Sequence, residues 1–261
     1  MKSRPHRKKS HAGSDKVYIY GRHALEEALV QVPHILKKVF LAPEIQDTSL
    51  SDALRANNIP VSELGRGGAD DLVGRDAVHQ GVIAIIDPGK LLITLEEFLA
   101  TVDKSKNPAV AVLGEVQDPH NVGAIIRSAA AFGLSAVLIP THNQAGITGT
   151  VVKTSAGMAF RIPLVSIGNV NDTLRKLKDA GFWVYGLDME GTVVLSDEKF
   201  DAPAAFVIGN EGAGIREKTL ELCDINLSIP MHPRTESLNA AVSAALVFHA
   251  WSGKHPEALT I

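Results

Sequence analysis

From Val17 onward, short apolar runs alternate with amphipathic stretches along the chain. VYIY reads as a strand. In GRHALEEALVQ, Ala24, Leu25, Ala28 and Leu29 fall on one stripe at helical spacing. KKVFLA predicts a strand, LSDALRANN a helix, and IPVSEL and HQGVIAII two further strands. Together these segments make a small α/β unit over residues 17–86. Residues 87–107 read as a connector, with a Pro-Gly turn, a short helix at Leu95 to Val102 and a polar stretch. The second unit, residues 108–261, has strand candidates in AVAVLGEV, SAVLIP, RIPLVSI, FWVYGL, AAFVIG and INLSIP, with helical patterns between most of them. That alternation predicts a mostly parallel sheet covered on both faces. Ligands of such sheets sit beyond the carboxyl ends of the strands. Attention therefore falls on three loops: DPHN after Val116, GNEGAG after Ile208 and MHPRTESLN after Pro230.

One helical pattern breaks its own rule. In EVQDPHNVGAIIRSAAAFG, Arg127 stands among small residues, with Gly123, Ala124, Ala130 and Ala131 around it at helical spacing. Asn121 is placed to cap that helix, or to act in catalysis. His120 and His232 are lone loop histidines and read as solvated side chains.

Composition narrows the class. A chain of 261 residues, 45% hydrophobic and 21% charged, suits a soluble protein of one or two domains. Cys223 is the only cysteine, so an intrachain disulfide is excluded, and its apolar surroundings in LELCDINL predict a buried small side chain. A reducing cytoplasm fits this usage. A basic start with no apolar stretch behind it is not a secretory signal. The longest apolar run, Ala240 to Trp251, is too short for a bilayer, which needs about 20 residues. The net charge of −3 hides an asymmetry: residues 1–16 carry six basic side chains against Asp15, a net of +5, leaving −8 on the rest. This segment has no periodicity and predicts disorder, serving either as an arm on nucleic acid or as a plain solvated terminus.

GNEGAG follows an apolar strand, as a phosphate cradle would. Its glycines Gly209, Gly212 and Gly214 are spaced G-x-x-G-x-G, which is not the dinucleotide fingerprint, and Ile215 and Arg216 stand where a P-loop needs Lys and Ser or Thr. Glu211 would repel phosphate but tolerate a cation or a hydroxyl donor. In MHPRTESLN, Pro230 and Pro233 stiffen the approach, and Ser237 or Asn239 can cap the apolar helix that follows; capping accounts for one of them, not both. No His, Cys, Asp or Glu spacing reads as a metal site.

Taken in order, NVGAIIRSAAAFG, FVIGNEGAGI and IPM…SLNAAVSAAL resemble the SpoU (TrmH) branch of the SPOUT RNA methyltransferases. The segment from VYIYGRHALEEAL to HQGVIAII is similar to the ribosomal-protein-like RNA-binding unit of its RlmB-type members. The resemblance covers residues 17–252.

It implies transfer of a methyl group from S-adenosylmethionine to an RNA ribose 2'-hydroxyl, without metal. It also implies a homodimer, which fits the apolar helix 240–251, whose Val242, Leu246 and Phe248 exceed what one face needs, and a parallel sheet whose C-terminal part forms a deep trefoil knot, which general rules would not have suggested. By motif, Gly209, Ile229 and Leu238, with Gly212 and Met231, are expected around the cofactor. Arg127 is expected at the RNA phosphate and 2'-hydroxyl, with Asn121, Glu211, Ser237 and Asn239 completing a polar shell. A guanidinium resists deprotonation, so positioning is the expected role of Arg127. The departure from the pattern is HPRTESLN, where such members carry a Gly-containing, Ser-rich stretch. The separate N-terminal unit tilts the substrate toward a guanosine in 23S rRNA, with tRNA the runner-up. Because the body is acidic, local cations such as Arg22, Lys37, Lys38 and Arg66, with the tail, are expected to hold the RNA. The remaining alternatives are an RNA-binding protein that kept the fold without catalysis and a dehydrogenase, which the glycine spacing disfavours.

Overall fold

The computed structural model describes residues 16–65, 67–75 and 77–260. Residues 1–15 of the basic tail and Arg66 lie outside them.

The N-terminal unit is a four-stranded sheet in the order β1 (Val17–Tyr20), β4 (Val82–Ile86), β2 (Leu36–Leu41) and β3 (Val61–Glu63). β4 pairs antiparallel with both β1 and β2, and β3 runs parallel to β2. Helix α1 (Arg22–Gln31) buries Leu25 and Ala28, the centre of its predicted stripe. Helix α2 (Thr48–Ala56) starts where the Asp47 carboxylate accepts the Leu50 N–H at 3.0 Å, a side-chain cap. A short α3 (Gly68–Val73) completes the unit.

The C-terminal sheet has eight strands, every pairing parallel. In chain order they are β5 (Leu92–Thr94), β6 (Ala109–Leu113), β7 (Ala136–Pro140), β8 (Leu164–Ile167), β9 (Trp183–Leu187), β10 (Val193–Val194), β11 (Ala204–Ile208) and β12 (Ile225–Ser228). Their order in space is β10-β12-β9-β11-β6-β7-β8-β5. Strands β6, β7 and β11 are buried along their whole length, as expected for a sheet covered on both faces. The helices are α4 (Leu95–Thr101), α5 (Pro119–Ala131), α6 (Gly149–Thr154), α7 (Val170–Asp179), α8 (Glu217–Leu220) and α9 (Ala240–Ser252). The chain winds from β6 to β7 and β8 on one side, while β11 flanks β6 on the other, so the strand order reverses between β6 and β11. Their following loops open together there, where such sheets bind ligands.

The stretch expected as a connector is partly built into this sheet. Leu92, Ile93 and Thr94 pair with Leu164, Val165 and Ser166. Thr94 then caps α4 in a reciprocal box with Glu97. Three residues are too few to show a period of two, and this hid the strand. The two units also pack directly. Leu25 and Ile35 share one continuous buried cluster with Val122 and Phe248. Arg161 donates to both Glu27 carboxylate oxygens, at 2.7 and 2.8 Å. At Gly149 a Cβ would lie 2.2 Å from the Tyr18 carbonyl oxygen.

Two further expectations are corrected. Phe248, expected as surplus apolar surface on the last helix, is fully buried, whereas Val242 and Leu246 are 48% and 41% exposed. Asn121 is not a cap: Asp118 caps α5 by accepting the His120 N–H at 2.8 Å, and Asn121 lies inside the helix, 9% exposed. Asp118 takes the position because Pro119, which has no N–H to lose, fills the first helical turn behind it.

Because Gly149 has no room for a Cβ, Gly149→Ala should force β1 and α6 apart. We expect a loss of about 1–3 kcal/mol, in the range for overpacking, read as a lower urea midpoint. An unchanged midpoint would show that the seam yields freely.

Candidate active site

Three loops meet beyond β6, β11 and β12 through one carboxylate. Glu211 Oε1 accepts the Asp118 N–H at 3.1 Å and the Asn121 amide at 3.0 Å. Its Oε2 accepts the Gln117 N–H at 3.3 Å and the Asn210 amide at 3.4 Å. Asn121 Oδ1 in turn accepts the Asn239 amide at 2.9 Å. Asn239 Oδ1 caps α9, accepting from Ala241 N at 2.9 Å and Val242 N at 3.2 Å. One chain of hydrogen bonds thus runs from the loop after β6, through Glu211 and Asn121, to the start of α9. It explains why Asn121 and Asn239 are both asparagine: each donates its amide N–H to one partner and accepts on its carbonyl from another.

Partial burial would raise the Glu211 carboxyl, but the donors from Asn121 and from the Asp118 and Gln117 main chain outweigh it and hold the group below the usual glutamate range. It is an acceptor at neutral pH.

The GNEGAG turn is shaped by a residue the sequence reading passed over. Asn210 Oδ1 accepts from Gly212 N at 2.9 Å and Ala213 N at 3.1 Å, and its amide donates to the Glu115 carbonyl at 2.9 Å. Asn210 and Gly214 also exchange both main-chain hydrogen bonds at 3.0 Å. Such an asparagine beside glycines is a local turn former, and that signal was present in the sequence. The loop doubles back so tightly that a Cβ on Gly209 would sit 2.5 Å from the Gly214 carbonyl carbon. Glycine is obligatory there for close approach of main chain to main chain.

Beside this turn lies a cavity of about 430 Å³. Its wall includes Gly209, Gly212, Ile229, Met231 and Leu238, the five residues expected around a cofactor, together with Glu211 and Ser237. Leu187, Ile208 and Leu227 add apolar surface from the strand ends, and Asp188 and Glu190 add two carboxylates from the loop after β9. The last two were missed, although the rule that ligands sit beyond strand ends applies to β9 as well. Among the described residues, none that lines the cavity is Lys, Arg or His.

The other expected residues lie apart from this cavity. Asn121 and Asn239 reach it only through Glu211. Arg127 is exposed on α5 and makes no ion pair or side-chain hydrogen bond among the described residues. Its small neighbours have a separate cause. At Gly123 a Cβ would lie 2.7 Å from Thr154 Cβ and 2.9 Å from the Val151 carbonyl oxygen, so the glycine lets α5 and α6 touch. His120, Gly123 and Arg127 share that stripe of α5 at helical spacing. His120 Nδ1 stands 3.4 Å from Thr154 Oγ1, so it is tied to α6 at its rim although its side chain is exposed.

Cys223 is partly buried, its thiol pushed up to about 12 by burial, and it donates to the Thr219 carbonyl at 3.4 Å. It is a packing residue, as expected. Among the described residues no cluster of His, Cys, Asp or Glu could hold a metal ion, and no helix is long and apolar enough to cross a membrane.

An open parallel sheet with a glycine-walled cavity beyond the carboxyl ends of β9, β11 and β12 is the arrangement of cofactor-binding α/β enzymes. Residues 108–249 match the SpoU rRNA Methylase family, and residues 18–91 match the RNA 2'-O ribose methyltransferase substrate-binding family. The chain belongs to the SpoU rRNA methylase family and is an enzyme of the RNA 2'-O-ribose methyltransferase class. It is 37% identical over 231 residues to the 23S rRNA (guanosine-2'-O-)-methyltransferase RlmB of Neisseria meningitidis, covering 88% of this chain and 92% of that one. It is 38% identical over 232 residues to the protein of the same name from Photobacterium profundum, covering 87% and 94%. In fold it is similar to the SpoU methyltransferase AviRb of Streptomyces viridochromogenes, solved in complex with AdoMet, with TM-score 0.79, 22% identity, and 92% and 91% of the two chains covered.

The depressed Glu211 carboxyl carries a linkage consequence. A folded value below the unfolded one contributes stability that is complete above the ordinary glutamate value of about 4.3 and is lost as pH falls through the lower folded value. Glu211→Gln should therefore be less stable than the parent at neutral pH, with the gap closing below about pH 4. A gap that stays constant down to pH 2 would remove the charged acceptor role.

Proposed function

We propose that this protein transfers the methyl group of S-adenosylmethionine to the ribose 2'-oxygen of a guanosine in 23S rRNA. The observation that carries the cofactor assignment is the charge of the cavity. Asp188, Glu190 and Glu211 line it, and among the described residues no cation does. Carboxylates disfavour the phosphates of a dinucleotide, whereas they suit a ribose diol and a ligand carrying sulfonium and ammonium charges. Apolar walls from Leu187, Ile208, Leu227 and Leu238 suit a purine, and the volume falls in the range of small-molecule sites. Gly209, Gly212, Ile229, Met231 and Leu238 would hold the cofactor. When bound, it supplies an already activated methyl group, so the chemistry calls for no metal.

The rest of the task falls to the protein. Asn121, Glu211 and Asn239 fix the three loops in register, and Ser237 adds a hydroxyl at the cavity wall. Arg127, with no side-chain partner among the described residues, orients an RNA phosphate and the 2'-hydroxyl. Its contribution is geometric, since misplacement of a reacting group by about 1 Å can cost roughly 100-fold. The 23S rRNA assignment is supported by two relatives of that activity that align with both units of the chain. An rRNA substrate places the enzyme in the cytoplasm, with the ribosome.

Two further features belong to this reading. The loops after β11 and β12 are where the trefoil knot of the SPOUT fold would be threaded. Val242 and Leu246, one turn apart and exposed on α9, support a homodimer built through the C-terminal unit. Leu246→Asp should shift the protein to a monomer in sedimentation velocity; a parent that is monomeric at tens of micromolar would refute the dimer.

Arg127→Ala should reduce methyl transfer by about 100-fold or more while leaving S-adenosylmethionine affinity nearly unchanged. Parallel loss of both in a folded variant would refute its assignment to RNA. The function itself is tested with labelled cofactor, undermethylated 23S rRNA and, separately, unmodified tRNA, with EDTA present. Labelling of rRNA is expected; labelling of tRNA alone would move the substrate, and loss of transfer on chelation would reinstate a metal.

A further inference from the structure

The cations expected to hold RNA on the N-terminal unit are largely spent. Arg22 is paired with Glu26 and Asp47, and Lys37 with Asp87 at 3.0 Å. Arg161, at the seam, is held by Glu27. An acidic protein that binds a polyanion must do so through cations its own carboxylates leave free. Lys38 and Lys153 are two such cations, with no ion pair among the described residues. Each lies over an aromatic ring: Lys38 Nζ is 4.9 Å from the centre of Phe40, and Lys153 Nζ is 5.3 Å from that of Tyr20. Tyr20 and Phe40 both pair with Ile83 across the small sheet, about 10 Å apart, and pack with it beneath Leu72 and Val73 of α3, so the two lysines flank the covered row. Lys153 belongs to the catalytic unit and Tyr20 to the other, and the next residue, Thr154, meets His120 at the rim of the active site.

We infer that Lys38, Phe40, Tyr20, Lys153, Thr154 and His120 form an RNA-backbone track across the seam, leading from the small sheet to the active site. The inference rests on the RNA-methylation reading and deepens it by naming the path. Free ammonium groups held over packed rings suit a nucleic-acid strand that presents its phosphates to the two lysines, the rings fixing where those charges stand. The track is pre-formed. Gly149 sets α6 against the Tyr18 main chain, Gly123 sets α5 against α6, and the bidentate Glu27–Arg161 pair holds the seam beside them. Along α5, Arg127 follows His120 on the same stripe about 10 Å further on, so the track ends at the proposed ribose-orienting group.

The test uses the full chain and a 23S rRNA transcript, with binding followed by anisotropy across a salt series. Each lost phosphate contact lowers the slope of log affinity against log salt by about 0.7 to 0.9. The double variant Lys38→Gln, Lys153→Gln should therefore lower it by roughly 1.4 to 1.8, with S-adenosylmethionine affinity unchanged. Lys254→Gln, which removes a lysine beyond the far end of α9, should leave the slope as it is. An unchanged slope in the double variant, or an equal fall in the control, would overturn the track. Methyl transfer by the parent protein is scored separately: its absence with RNA binding intact would defeat the functional reading and leave the track standing.

Discussion

Everything at the active end of this protein hangs on the acceptor capacity of one carboxylate. Glu211 receives N–H groups from Gln117, Asp118, Asn121 and Asn210, and these donors come from two loops that are neighbours only because β6 and β11 are paired. A charged acceptor with several donors is among the stronger arrangements available to side chains, roughly twice a neutral hydrogen bond for each donor. Asn121 then passes the constraint to Asn239, and Asn239 to the first turn of α9. A neutral side chain at 211 would keep the shape and lose the charge that makes the loops cohere.

This arrangement also separates two electrostatic tasks. The cavity presents carboxylates, and Arg127, Lys153 and Lys38 lie outside its wall. The cavity wall and the surface beside it therefore carry opposite signs within one enzyme, as a cofactor of positive character and a substrate of strongly negative character would require. A net charge of −3 would be a poor guide to an RNA-binding protein, because the sign that matters is local.

The sequence carried most of the architecture. Long apolar strands and the stripe of α1 were readable because burial on one or both faces leaves a pattern. Where tertiary pairing rather than pattern decides, reading failed: β5 has three residues and β10 two, and only their partners make them strands. Asn121 looked like a cap because asparagine before an apolar run usually is one. Asp118 took that role, and the reason for a buried asparagine lay 90 and 118 residues away, in Glu211 and Asn239. Phe248 looked like surplus because α9 is apolar all round, and periodicity cannot say which side of such a helix meets solvent. The chemistry-bearing positions were visible as motifs, but Asp188 and Glu190, which give the cavity much of its charge, sit in a loop with no motif at all.

The short helix α6 shows how the two units become one machine. It has only six residues and would not persist alone, since helices of that length are far below the nucleation limit in water. It is held by contact on both sides, through Gly149 against the Tyr18 main chain and through Gly123 of α5 against Val151 and Thr154. Neither glycine has a positive φ; both are required for proximity. A side chain at either place would move α6 by more than a hydrogen bond can stretch, and α5 carries Asn121 and Arg127. The docking of the N-terminal unit and the placement of α5 are therefore one packing problem, solved by two missing methyl groups.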